Sequence, residues 1–139
     1  MSDSHLFNLA KECSFKADYS GCGRARIGAI ISYKGTVLAK GFNTDRTHTY
    51  QAKYNKWRYK DSGNRYLPCK LHAEAMALSK IQHLDIDFSK ARIYVYRELR
   101  DGKLGMARPC KACMAAIRQI GIKHINYTTD DGFAAEKII

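Results

Sequence analysis

The chain has 139 residues, and its 24 lysines and arginines outnumber 13 aspartates and glutamates, which gives a formal net charge of +11. With 45% hydrophobic residues, 10 glycines and only 2 prolines, the composition excludes disordered, collagen-like and low-complexity proteins. A chain of this length normally folds as one unit, so we expect a single domain over residues 1–139.

The sequence also bears on the compartment. No apolar run reaches the roughly 18–20 residues of a membrane helix, and the N-terminus lacks a basic segment followed by an apolar stretch. We therefore expect a cytoplasmic protein with no membrane role. Because cytoplasmic thiols stay reduced, the 5 cysteines are expected to bind metal or to be buried rather than to form disulfides.

The first half of the chain predicts a helix followed by a hairpin. Apolar residues at spacings of three and four predict a helix over 6–16. Two β-branched runs, 27–33 and 36–42, are joined by a Lys-Gly pair and predict a β-hairpin. Residues 44–70, which follow, are polar and aromatic and show no sustained period.

The second half predicts helices that alternate with strands. In chain order these elements are a helix over 71–81, a strand over 91–97, a loop over 98–108, a helix over 110–120, a strand over 124–128, and a terminal helix or strand over 133–139. This order favours an α/β sheet with helices packed on it.

Positive charge is concentrated in residues 44–70, which hold seven basic and two acidic side chains with aromatic rings among them. Basic groups neutralise phosphate and flat rings stack on bases, so the segment predicts contact with a nucleotide or a nucleic acid. The alternative is a solvated loop whose aromatic residues pack onto the core. The candidate contacts are Arg46, Lys53, Lys56, Trp57 and Arg58, with Arg108 from the later loop.

Two short motifs begin the helices predicted over 71–81 and 110–120. His72 stands two residues before Glu74, and Cys110 stands three before Cys113. Cysteines three apart in the first turn of a helix point the same way, and the helix dipole favours their thiolates. An imidazole and two thiolates suit zinc, and three protein ligands leave a fourth position for water.

These residues together predict a catalytic zinc held by His72, Cys110 and Cys113, with Glu74 placed to shuttle protons. Each motif alone has another interpretation. A lone histidine on an apolar helix is usually a core residue, and a lone C-x-x-C fits a redox pair or half of a structural zinc site.

The combination resembles the zinc-dependent cytidine/deoxycytidylate deaminase superfamily, which carries an H-x-E and P-C-x-x-C signature. Residues 27–31 and 41–43 are similar to the family's hairpin, and residues 91–125 to its strand, helix and Gly-Ile turn. The resemblance implies a three-layer α/β/α sandwich with a mixed central sheet, and a homo-oligomer. It also implies that Asn43 contacts the sugar or base of the substrate and that backbone N–H groups near Ala73 help to hold the base.

The implied function is hydrolytic deamination of a cytosine nucleotide or nucleoside, with deoxycytidylate preferred because the 44–70 insertion is longer than in minimal tRNA adenosine deaminases. A second reading is a deaminase of a base within nucleic acid, either cytosine in a single strand or adenosine in tRNA; the net charge supports it. A third interpretation is a non-catalytic domain that binds nucleic acid and whose fold is held together by zinc. Glu74 argues against it, because a structural zinc site has no use for an acid two residues from its histidine. Cys22 and Cys69, with His48, are candidates for a second, structural zinc, although one catalytic zinc is favoured.

Overall fold

The computed structural model describes residues 2–17, 25–44, 46, 48–57 and 71–138. Its helices are α1 (Asp3–Ser14), α2 (Thr49–Tyr54), α3 (Ala73–Ser79) and α4 (Lys111–Ile120). Its strands are β1 (Ala25–Tyr33), β2 (Thr36–Phe42), β3 (Ala91–Leu99), β4 (His124–Thr129) and β5 (Gly132–Lys137). Within these ranges no helix has the length and apolar character needed to cross a membrane.

The strands form one mixed sheet in the order β2-β1-β3-β4-β5. β1 runs antiparallel to both β2 and β3, whereas β4 is parallel to β3 and antiparallel to β5. Parallel neighbours need a crossover, and α4 supplies it between β3 and β4. At the hairpin turn Lys34 and Gly35 have φ of 50° and 82°, as a two-residue turn that matches the twist of its strands requires.

Helices cover both faces of the sheet, because the strand side chains alternate between two apolar clusters. Ile30 of β1 packs with Leu6, Phe7 and Ala10 of α1 on one face. Its neighbour Ile31 belongs to the cluster on the opposite face, with residues of α3 and α4. The three-layer α/β/α sandwich with a mixed central sheet is confirmed.

Two glycines allow these helices to approach the sheet. A Cβ at Gly28 would lie 2.0 Å from the Ala10 carbonyl oxygen of α1, and one at Gly41 would lie 2.2 Å from the Ala73 carbonyl oxygen of α3. Both obstructing atoms belong to helix backbone, so no side-chain rotation relieves the clash. Gly41 therefore fixes how closely the helix that begins after His72 lies against β2.

The predicted helices and strands are confirmed with small shifts of their ends, and the terminal segment is a strand. The segment predicted to lack periodic structure differs, because Thr49–Tyr54 within it forms α2. His48 begins that helix, and its Nδ1 accepts a hydrogen bond from the Tyr50 N–H at 3.0 Å. Tyr50 and Tyr54 pack into the core, as the alternative interpretation of this segment expected of its aromatic residues, but they do so from a helix and not from a loop.

Candidate metal centre and active site

Three predicted ligands converge between α3 and α4. The His72 Nδ1 atom lies 3.5 Å from the Cys110 Sγ and 3.4 Å from the Cys113 Sγ. All three ligand atoms lie within 4.8 Å of one another. Tetrahedral zinc with ordinary Zn–N and Zn–S bonds would separate nitrogen from sulfur by about 3.6 Å. The donor set and its spacing therefore fit zinc, and His72, Cys110 and Cys113 form the zinc site.

The position of the cysteines on α4 favours the thiolate form that zinc needs. Cys110 is the N-cap residue of α4, and its Sγ accepts the Cys113 N–H at 3.5 Å. The hydrogen bond from the Cys113 side chain and the nearby His72 lower the pKa of Cys110 to about 4. A thiolate at this end of a helix is further stabilised by the dipole.

Glu74 lies in the first turn of α3, two residues after the histidine ligand, and is buried. Burial raises the pKa of its carboxyl above the ordinary value, and the nearby His72 opposes that effect. A buried carboxyl beside a metal site is placed to accept and to donate protons.

A cavity of about 260 Å³ opens beside the zinc ligands. His72, Glu74 and Cys110 line it together with Arg97 and Arg108. Glu74 is the only acidic side chain among the described lining residues. Two guanidinium groups at one small cavity favour an anionic ligand.

The Arg97 and Arg108 side chains are both held in place. The Arg97 Nη1 donates to the Met106 carbonyl oxygen at 3.3 Å. The Arg108 guanidinium donates two hydrogen bonds to the Glu136 carboxylate, at 2.7 and 3.2 Å. The Tyr127 hydroxyl donates to the same carboxylate. Arg108 is thus a fixed cation whose charge is partly neutralised by β5.

The residues predicted to contact substrate lie at or near the cavity beside the zinc ligands. Asn43 lines the cavity, but its side chain also binds β1, accepting the Ile27 N–H at 2.9 Å and donating to the Ala25 carbonyl oxygen at 3.1 Å. Ala73 is the first residue of α3 and is fully buried. Arg108 lines the cavity. None of these observations tests contact with substrate.

The basic segment is placed only in part. Trp57 and Arg108 line a second cavity of about 590 Å³ along α4. Arg46, Lys53 and Lys56 are exposed and line neither this cavity nor the one beside the zinc ligands, over the residues that the structure covers. Arg58 lies outside the described residues, as do Cys22 and Cys69, so the proposal of a second zinc stays a prediction.

Sequence reasoning missed three residues at the site. Arg97 lines the cavity, although the sequence predicted only a strand over 91–97 and no site residue in it. Gln51 and Asn55 are buried beside the histidine ligand, where the Gln51 Oε1 accepts the His72 N–H at 3.0 Å. A polar segment of irregular pattern carries no signal for such burial, since the burial depends on where α2 docks.

A fold that carries a His-Cys-Cys zinc site beside a buried glutamate defines a zinc-dependent deaminase class of protein. The family model for the cytidine and deoxycytidylate deaminase zinc-binding region matches residues 1–129, and the chain belongs to this family. No curated protein matches the chain.

Solved structures share the fold at low sequence identity. The apo dCMP deaminase of cyanophage S-TIM5 is 24% identical with a TM-score of 0.61, over 93% of this chain and 86% of that one. A cytidine deaminase from Burkholderia pseudomallei is 19% identical with a TM-score of 0.64, over 99% and 93%. A guanine deaminase from Bacillus subtilis is 18% identical with a TM-score of 0.55, over 93% and 65%. These likenesses support the fold.

Proposed function

We propose that the protein is a hydrolytic deaminase of a cytosine nucleotide or nucleoside, with deoxycytidylate preferred. The observation that carries the proposal is a zinc site and a buried carboxyl at one cavity whose other charged groups are arginines. His72, Cys110 and Cys113 would hold the zinc ion, which when bound would activate a water for attack by lowering its pKa toward about 7.

Glu74 carries the protons in this proposal. Its carboxyl takes a proton from the water and passes it to the ring nitrogen next to the amine-bearing carbon of cytosine, while the water oxygen forms a bond to that carbon. It then takes the remaining proton from that oxygen and passes it to the amine, so that the carbon–oxygen double bond forms, the carbon–nitrogen bond breaks and ammonia leaves. One water is consumed, and the uracil product and ammonia are formed. A raised pKa, caused by burial, suits a group that must both accept and donate a proton.

Arg97 and Arg108 support a phosphate-bearing substrate over a bare nucleoside. A guanidinium offers several N–H donors in a planar arrangement that matches phosphate oxygens. Arg108 already holds Glu136 and therefore has fewer N–H groups and less net charge to offer. We assign Arg97 the larger part of phosphate binding, while Asn43 and the Ala73 backbone contact the sugar or base.

A panel of free monomers tests the proposal. The zinc-loaded protein is incubated with dCMP, CMP, deoxycytidine, cytidine, adenosine and guanine, and the products are read by mass spectrometry. We expect conversion of cytosine compounds, fastest for dCMP. Conversion of guanine or adenosine alone would assign the enzyme a different base, and no conversion of any of the six monomers would contradict the proposal.

A second candidate, deamination of a base within nucleic acid, is favoured by the larger cavity. The basic side chains of Arg108, Lys111 and Arg118 line it beside the Trp57 ring, and its described lining contains no acidic residue. Arg108 also lines the cavity at the zinc site, so a strand could pass from one to the other.

Salt dependence separates the two candidates. A polymer bound through several phosphates releases several counterions, so its affinity falls steeply as salt is added. A mononucleotide has one phosphate to lose. Steep salt dependence together with deamination of a single-stranded oligonucleotide would select the second candidate. Light scattering in the same buffer tests the expected homo-oligomer.

A further inference from the structure

α2 buries two amide side chains against the metal site. Gln51 is 1% exposed and Asn55, the residue after α2, is fully buried. Burying an amide is unfavourable unless its donors and acceptors are hydrogen-bonded. The Gln51 Nε2 donates to the Asn55 Oδ1 at 2.9 Å, which fixes the orientation of the Gln51 amide and leaves its oxygen turned toward α3.

The acceptor on Gln51 meets the backbone of the histidine ligand. The Gln51 Oε1 accepts the His72 N–H at 3.0 Å. His72 is the N-cap residue of α3, and its side chain makes no capping hydrogen bond. The imidazole therefore takes no part in capping α3 and lies beside the two cysteines, while the N–H of the same residue, which the helix itself does not use, is held by α2.

α2 also contacts the helix that carries the two cysteine ligands. The Tyr54 hydroxyl donates to the Gln119 Oε1 at 2.9 Å, which joins α2 to the last turn of α4. The Tyr50 ring packs against the Tyr54 ring at an interplanar angle of 55°, with centroids 5.2 Å apart, and both rings belong to the core beneath. One short helix is thus hydrogen-bonded to both ligand-bearing segments.

We propose that α2 is a positioning element of the zinc site, in which Gln51 holds the backbone of His72 and Tyr54 holds α4. The helix then sets the separation between the imidazole and the two thiolates. Its contribution is to metal affinity rather than to substrate contact, because the atoms that face the site are bonded to protein and not to the cavity. Positioning groups around metal ligands commonly change affinity by about 10- to 100-fold when removed.

The test compares Gln51→Leu with Gln51→Glu. Leucine removes the acceptor and should weaken zinc binding by about 10- to 100-fold, measured by competition with a chromogenic chelator. Glutamate keeps an oxygen for the His72 N–H, and the Asn55 amide can turn to donate to it, so affinity should return most of the way to wild type. Equal affinities of the leucine variant and wild type would overturn the proposal.

Matched controls separate positioning from general loss of stability. Ala52→Gln changes the exposed face of α2 and should leave zinc affinity unchanged. Ile30→Val removes a methyl group from the cluster beneath α1, on the opposite face of the sheet, and should lower the unfolding temperature without weakening zinc. If Ile30→Val lowered zinc affinity as much as Gln51→Leu does at an equal loss of stability, the loss of zinc would be a general effect of destabilisation, and the proposal would be wrong.

A milder variant serves if Gln51→Leu does not fold. Tyr54→Phe removes only the hydroxyl that reaches Gln119 and should weaken zinc several-fold; an unchanged zinc affinity would refute the link to α4. The zinc-saturated variants are then assayed on dCMP, where kcat should fall while KM stays constant. This last readout rests on the proposed function, whereas the zinc measurements do not, so the two can fail separately.

Discussion

Replacing Gly41 by alanine should damage the zinc site through the backbone of α3. The added Cβ would lie 2.2 Å from the Ala73 carbonyl oxygen and 2.8 Å from the Ala77 nitrogen. An ordinary carbon–oxygen contact is about 3.3 Å, so α3 must move outward by about 1 Å. Overpacking of this kind costs about 1–3 kcal/mol of stability. Because His72 and Glu74 begin α3, the same movement displaces both.

Gly28→Ala is the matched control for this variant. Its Cβ would lie 2.0 Å from the Ala10 carbonyl oxygen and 2.7 Å from the Ser14 nitrogen, which is a clash of similar size with α1 on the other face of the sheet. We expect both variants to unfold at lower temperature. Only Gly41→Ala should also weaken zinc, by about tenfold or about 1.4 kcal/mol, and reduce kcat/KM by about 10²-fold.

Thermal unfolding of the zinc-loaded proteins measures the stability loss, and competition with a chelator measures zinc affinity. The reasoning is refuted if Gly28→Ala weakens zinc as much as Gly41→Ala does. It is equally refuted if Gly41→Ala destabilises the fold and leaves zinc affinity at the wild-type value, since α3 would then not transmit the displacement.

Other substitutions test the chemistry and the charges of the site. Glu74→Gln should keep a full complement of zinc and lower kcat by about 10²- to 10⁴-fold, as zinc analysis and product formation would show; an active variant excludes Glu74 as the proton carrier. Arg97→Ala should raise KM for dCMP much more than for deoxycytidine, and an equal rise for both would mean that it does not bind phosphate. Arg108 holds the pKa of Glu136 below its ordinary value. The ion pair therefore stabilises the fold fully at pH values above the ordinary glutamate pKa, and this stabilisation is lost as the pH falls through the lowered pKa of Glu136. In Glu136→Gln the free energy of unfolding should therefore fall less steeply as the pH is lowered. An unchanged pH dependence would show that the exposed pair contributes nothing to stability.

The zinc ligands were predictable because their signal is local. Cysteines three apart at the start of a helix share a direction whatever surrounds them, and a histidine with a glutamate two residues on has few structural uses. The sheet was predictable for a similar reason, since β-branched runs such as 27–33 and 36–42 alternate with strong helix formers. These features need no knowledge of which element packs on which.

The residues that were missed depend on tertiary contacts. Gln51 is buried only because α2 docks against α3, and its sequence neighbours are polar and irregular. Arg97 lies on a cavity wall because loop residues 105–107 pair with β3 and β4, where the Gly105 N–H donates to the Arg97 carbonyl oxygen at 3.0 Å. Likewise, the requirement for glycine at position 41 appears only when α3 lies across it.

Stepwise addition of zinc to metal-free protein, with conversion of dCMP followed by mass spectrometry, tests whether one zinc ion at His72, Cys110 and Cys113 drives deamination of a cytosine nucleotide. We expect uracil product to rise linearly with zinc and to stop rising at one equivalent per chain. Product that is independent of zinc, a break at two equivalents, or no product at any ratio would show that this is wrong.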